Sequence, residues 1–159
     1  MKYQTLITPS QVLSLAFSDA EYISPDTISP SDVCASVERW VLPVVGRTLL
    51  DKVEQGDSPT LAEEYLLPAI AACVRMDIQP RLNVATSQLG LSVVAGSNNK
   101  AADVDMRAEQ MLSLRQRARA LLRRLTDHLE EHSGEYPEYS SAANVMLRVS
   151  SDGGFVQIL

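Results

Sequence analysis

Cysteine is nearly missing from this sequence: Cys34 and Cys73 are the only two among 159 residues. Two cysteines cannot make a disulfide framework. Both fall in stretches of helical apolar spacing, which predicts small buried hydrophobes. Aromatic residues reach only 5%, with a single tryptophan, Trp40. Trp40 is read as a core residue. Long hydrophobic runs are absent, so no segment has transmembrane length. The opening Met1-Lys2-Tyr3-Gln4 lacks the apolar run of a signal peptide, which points to a chain that folds in the cytoplasm. The glycines at 90, 96 and 153–154 form no phosphate-binding pattern, and no nucleophile elbow surrounds any serine. No cofactor is implied, and the residues carry no signature strong enough to name a reaction.

What the chain does have is leucine, valine and alanine at helical spacing, in a composition that is 45% hydrophobic. That suits one domain with a core built without metals or disulfides. Three Ser/Thr-Pro pairs, Thr8-Pro9, Ser29-Pro30 and Ser58-Pro59, share one start signal: a capping hydroxyl, then a proline whose missing N–H would be unpaired anyway. They predict helices from about 9, over about 30–42 and from 59 to about 82, with Leu61, Tyr65, Leu66, Ile70 and Cys73 inward. Pro43 and Gly46 end the second, and a short helix follows over about 45–55. Pro68 must kink or split the long one.

The longest pattern runs from about Asp103 to His132, with Val104, Ala108, Met111, Leu114, Ala118, Leu121, Leu125 and Leu129 as its stripe. Two segments have period two instead. Leu89, Leu91 and Val93 predict a strand over 88–94. Val145, Leu147 and Val149, the turn Ser151-Asp152-Gly153-Gly154 and the run from Phe155 predict a hairpin over 144–159. The expected fold is therefore mainly α: a helical bundle with one long C-terminal helix plus a small β element. Its organisation is a helical domain over 1–139 with an inserted strand, then an extended tail over 140–159.

Net charge is −6, but unevenly placed. The first 66 residues are rich in Asp and Glu, whereas Arg115, Arg117, Arg119, Arg123 and Arg124 occur within ten residues that hold no acid. Such a surface can be a solvated face paired with acids of its own chain, or can meet an acidic face of a second subunit. Nucleic acid is less suited to it, because the chain is acidic and no aromatics are interleaved. His128-Leu129-Glu130-Glu131-His132 matches a zinc-protease pattern formally. These are the only two histidines, though, and a catalytic zinc needs a third ligand.

Three features taken in order resemble the head–tail connector (adaptor) proteins of tailed bacteriophages and prophages, of the Bacteroidetes type. They are Trp40-Val41-Leu42-Pro43-Val44-Val45-Gly46-Arg47-Thr48-Leu49-Leu50, like that family's helix–Pro-x-x-Gly–helix corner; Tyr65-Leu66-Leu67-Pro68-Ala69-Ile70-Ala71, like its Pro-Ala helix; and the stop Glu135-Tyr136-Pro137-Glu138-Tyr139. Tyr136 stands where Phe is common, and the tail is shorter than usual. The resemblance implies a structural virion protein, not an enzyme. It would be assembled in the bacterial cytoplasm into a homo-oligomeric ring between portal and tail proteins, with DNA only as passing cargo and no membrane. Its contacts would come from the arginines above and from Leu89, Leu91, Val93, Val145, Leu147, Val149 and Phe155. The alternative is a small helical nucleic-acid-binding or regulatory module using Arg115–Arg124.

Overall fold

The computed structural model describes residues 3, 5–19, 21, 23–87, 90–93 and 103–148, with the backbone alone over 84–87 and 90–93. Two of the Ser/Thr-Pro signals act as expected. At α1 (Pro9–Ala16) the Thr8 hydroxyl accepts from the Gln11 N–H, and the Gln11 side chain accepts from the Thr8 N–H at 2.8 Å. At α2 (Pro30–Ser36) Ser29 and Asp32 repeat this reciprocal cap, which satisfies two orphan donors at once. Ser58 does not follow. It sits in the left-handed region at φ +59° and makes no capping bond.

Pro43 is handled differently from expectation. The chain does not leave the helix at Leu42. It widens into a π-helical segment over Val37–Val41, continues as α3 (Leu42–Val45) through Pro43, and breaks only at Gly46. There φ is +85° and ψ is 155°, a conformation essentially reserved for glycine. After α4 (Arg47–Glu54) and the short α5 (Pro59–Leu61), a second π segment covers Ala62–Leu66. It leads into α6 (Leu67–Asn83), with Pro68 in the first turn. Each π segment ends two residues before a proline. Proline cannot donate to the carbonyl four residues back and its ring crowds that carbonyl, so a wider turn lets the helix pass. Pro80 also lies inside α6.

α6 is the centre of the molecule. Ala69, Ile70, Ala71, Ala72, Cys73, Val74, Met76 and Ile78 are all buried, so it is apolar nearly all round, as a helix enclosed on all sides must be. α1, α2 and the long α7 (Val104–Glu131) pack against it. Two of its polar residues, Arg75 and Asp77, are paired across the packing. Arg75 reaches the carbonyl of Ala16 at the end of α1, donates to Glu21 Oε1 at 2.5 Å and stacks on Phe17. A cation at a helix C-terminus satisfies orphan carbonyls and opposes the helix dipole. Asp77 accepts from Trp40 Nε1 and from the Ser36 hydroxyl. Cys34 and Cys73 are buried, and burial pushes the Cys73 thiol up to about 12.

α7 buries Leu114, Ala118, Leu122, Leu125, Thr126 and Leu129. At its start two residues of the expected stripe are exposed, Val104 at 71% and Ala108; Met106 at 60% and Leu112 at 55%, outside that stripe, are exposed as well. Before it, β1 (Val84–Ser87) and β2 (Gly90–Val93) run antiparallel, with Val84 opposite Val93 and Ser87 opposite Gly90. Residues 88, 89 and 94 of the expected strand lie outside the described residues.

The expected hairpin over 144–159 is corrected in its first part. Val145–Leu147 is a 3₁₀ turn capped by Asn144, whose side chain accepts from the Met146 N–H at 2.8 Å. Alternation in three residues was too short to outweigh a local cap, which ties the backbone into a turn. Val149 and Phe155 lie outside the described residues. No helix among the described residues is long and apolar enough to cross a membrane.

Candidate interaction surface

The five arginines between residues 115 and 124 of α7 do not form one patch. All five are exposed, but their side chains take separate directions. Arg117 turns back to α1, where Nη2 is 3.4 Å from the Leu15 carbonyl oxygen. Arg124 lies over the Tyr65 ring, 4.8 Å from its centroid. Arg115, Arg119 and Arg123, four residues apart, follow one ridge of the helix. Among the described residues Arg115, Arg117, Arg123 and Arg124 form no ion pair. Ion pairs are made instead by Arg39, Lys52, Arg75 and Arg81, among others. Among the described residues, no carboxylate of the same chain is within ion-pair distance of those four.

At the C-terminal end of α7 the two histidines belong to a ring stack. His128 lies on Tyr65 with centroids 4.0 Å apart and planes at 16°, and its ring is 4.4 Å from that of His132. His128 Nε2 faces the Tyr136 hydroxyl at 3.4 Å, and His132 Nδ1 faces the His128 carbonyl oxygen at 3.0 Å. Burial, then the charge of His132, holds His128 below the usual imidazole value. An open groove of about 440 Å³ runs past this stack, lined by Tyr65, Arg123, Arg124, Asp127, His128 and Glu131 among others. Among the described residues no set of three metal-ligating side chains gathers here or elsewhere.

The tyrosines of the stop sequence are clamps. Tyr139 donates to Glu130 Oε1 at 2.5 Å and accepts from Asn144 Nδ2 at 2.8 Å, and burial first of all raises its phenol to about 12. Glu138 pairs with Lys52 of α4. Asn144, fully buried, also reaches Thr126 Oγ1. Residues 136–146 are thus tied to α7 and α4.

The other residues singled out in the sequence are scattered. Val145 is partly buried against the core, and Leu147 is 43% exposed. Leu91 and Val93 lie in β2, and Leu89, Val149 and Phe155 are outside the described residues. Sequence reading missed Tyr65 as a site residue. It was assigned to the core on spacing, and nothing in the chain order ties it to Arg124 and His128, some sixty residues on.

Residues 42–147 match the model of DUF6712, described as a family of unknown function. No curated protein and no solved structure matches the chain. The matched stretch begins in the turn containing Pro43, takes in α6, α7 and the tyrosine stop, and ends in the 3₁₀ turn at Leu147. That is well over half of the sequence, and on it the chain belongs to DUF6712.

Proposed function

We propose that this protein is a structural component of a tailed-phage or prophage virion, a head–tail connector that self-assembles into a ring between portal and tail proteins. The observation that carries the reading is the arginine surface of α7. On a chain of net charge −6, four of its arginines have no carboxylate partner of their own among the described residues. The exposed Val104, Met106 and Leu112 add apolar surface on the same helix. Surfaces of both kinds suit a protein whose partners are other subunits. The ordered resemblance of the Pro43-Gly46 corner, the Pro68 helix and the Tyr136-Pro137-Glu138-Tyr139 stop supplies the virion context. In this reading β1 and β2 offer a strand edge to a neighbour, since two strands alone are marginal in water. DNA is passing cargo, no catalysis is involved, and the protein joins the virion after assembly in the host cytoplasm.

The test is the mass of the purified chain, alone and with a tailed-phage portal protein, by native mass spectrometry and light scattering. Discrete oligomers in either mixture are expected. A strict monomer at high concentration that also ignores the portal protein overturns the reading.

One observation favours a second reading, a nucleic-acid-binding module. Tyr65 and His128 place aromatic rings beside Arg123 and Arg124 in one groove, a combination that serves base stacking and phosphate contact. It predicts DNA or RNA retention that falls steeply with salt. No retention at low salt removes it.

A further inference from the structure

The exposed face of α7 carries like-charged neighbours that a single helix does not favour. At about 100° per residue, Asp105, Glu109, Leu112, Arg115, Arg119 and Arg123 fall within about 60° of one line along the helix. All six are exposed. Along that line two acids come first, then an exposed leucine, then three arginines. Neighbours four apart have like charge: Asp105 with Glu109, Arg115 with Arg119, Arg119 with Arg123. Such pairs oppose helix formation, and opposite pairs would favour it. Glu109 and Arg115 are six apart and cannot relieve one another within the helix.

A second copy laid antiparallel relieves the pairs nearest Leu112. We infer that two copies of this chain pair through this face of α7, with Leu112 on the two-fold axis. In that register Glu109 of each chain meets Arg115 of the other, and Asp105 meets Arg119. Ala108 faces Gln116, a small residue against a longer neutral one. The leucine 55% exposed in the single chain is covered by its own symmetry mate. The contact is isologous, so each polar pair occurs twice. Arg119 already has a contact within its own chain, and the pairing is anchored on Glu109, Leu112 and Arg115.

This goes beyond the connector reading. An isologous contact closes a dimer and builds no ring. Where the protein does enter a ring, the pair is its free form and must open on incorporation.

Sedimentation of the full chain tests the pairing. Glu109→Arg alone and Arg115→Glu alone each weaken the dimer by about tenfold or more, since each creates two like-charge contacts. The double exchange returns its affinity to within about threefold of the wild type, because the charges then match again across the axis. A Leu112→Cys chain cross-links to itself under mild oxidation, whereas Ser113→Cys, a third of a turn away, does not. The native thiols are buried and stay out of the reaction. Circular dichroism confirms that each variant keeps its helices. A wild-type monomer at every concentration, a double exchange without rescue, or equal cross-linking at 112 and 113 overturns the inference. Larger oligomers without a 112–112 cross-link overturn it and leave the connector standing.

Discussion

His128 is where a change of pH acts most directly on this fold. Its imidazole is held low by burial and by His132, so the unfolded chain takes up the proton at higher pH than the folded one does. The stability it contributes is complete above about 6.5, the ordinary imidazole value, and is lost as pH falls below that. Asp32, held low chiefly by its hydrogen bonds from Arg81, acts in a separate window below the ordinary carboxylate value. The thermal midpoint therefore falls between about pH 7.5 and 5.5, a range in which the carboxylates stay ionised. His128→Phe keeps a ring against Tyr65 and flattens that slope; an equal slope in the variant would assign it to other groups. Asn144 gives a second prediction at this scale. It is fully buried and its side chain bonds to Tyr139, Thr126 and the Met146 N–H. Asn144→Ala leaves those groups unpaired and costs about 1–3 kcal/mol in urea denaturation. Neither role was visible in the residue names. Asn144 read as one position of an alternating strand, and His128 as part of a metal pattern.

At the scale of elements, the start and stop signals were mostly local and mostly legible. Thr8, Ser29 and Asp103 cap the helices they precede, because a side-chain oxygen reaches an N–H only two or three residues away. The prolines were legible as disturbances but not in outcome. Whether Pro43 and Pro68 end a helix or widen it depends on what the flanking turns pack against. Val37, Val41 and Leu66 are fully buried, and the packing around them keeps the helices running. Gly46 then makes the break that Pro43 does not. An added Cβ at Gly46 meets nothing within 4 Å, so only backbone strain opposes a side chain there. Gly46→Ala is expected to cost about 1–3 kcal/mol by chemical denaturation. A neutral result would mean that the corner relaxes into an ordinary turn.

For the whole molecule, charge placement governs behaviour toward other copies. The chain is acidic overall, while five of its exposed arginines lie within ten residues of one helix. Self-association through that helix should weaken as salt rises from about 0.05 to 0.5 M, since exposed pairs are screened beyond a Debye length. Light scattering across that range checks it, and association strengthened by salt would point to an apolar contact instead. The sequence by itself determined that the protein is mainly helical, where most helices begin, and that α7 is long, because capping and apolar periodicity act within a few residues along the chain. Only the tertiary structure decided that α6 is the buried centre and that Tyr65, Arg124 and His128 share one groove. It alone decided that the start of α7 stands in solvent with its leucine and its segregated charges uncovered. Those outcomes depend on which faces meet in space, and residues sixty apart carry no mark of that meeting in their order.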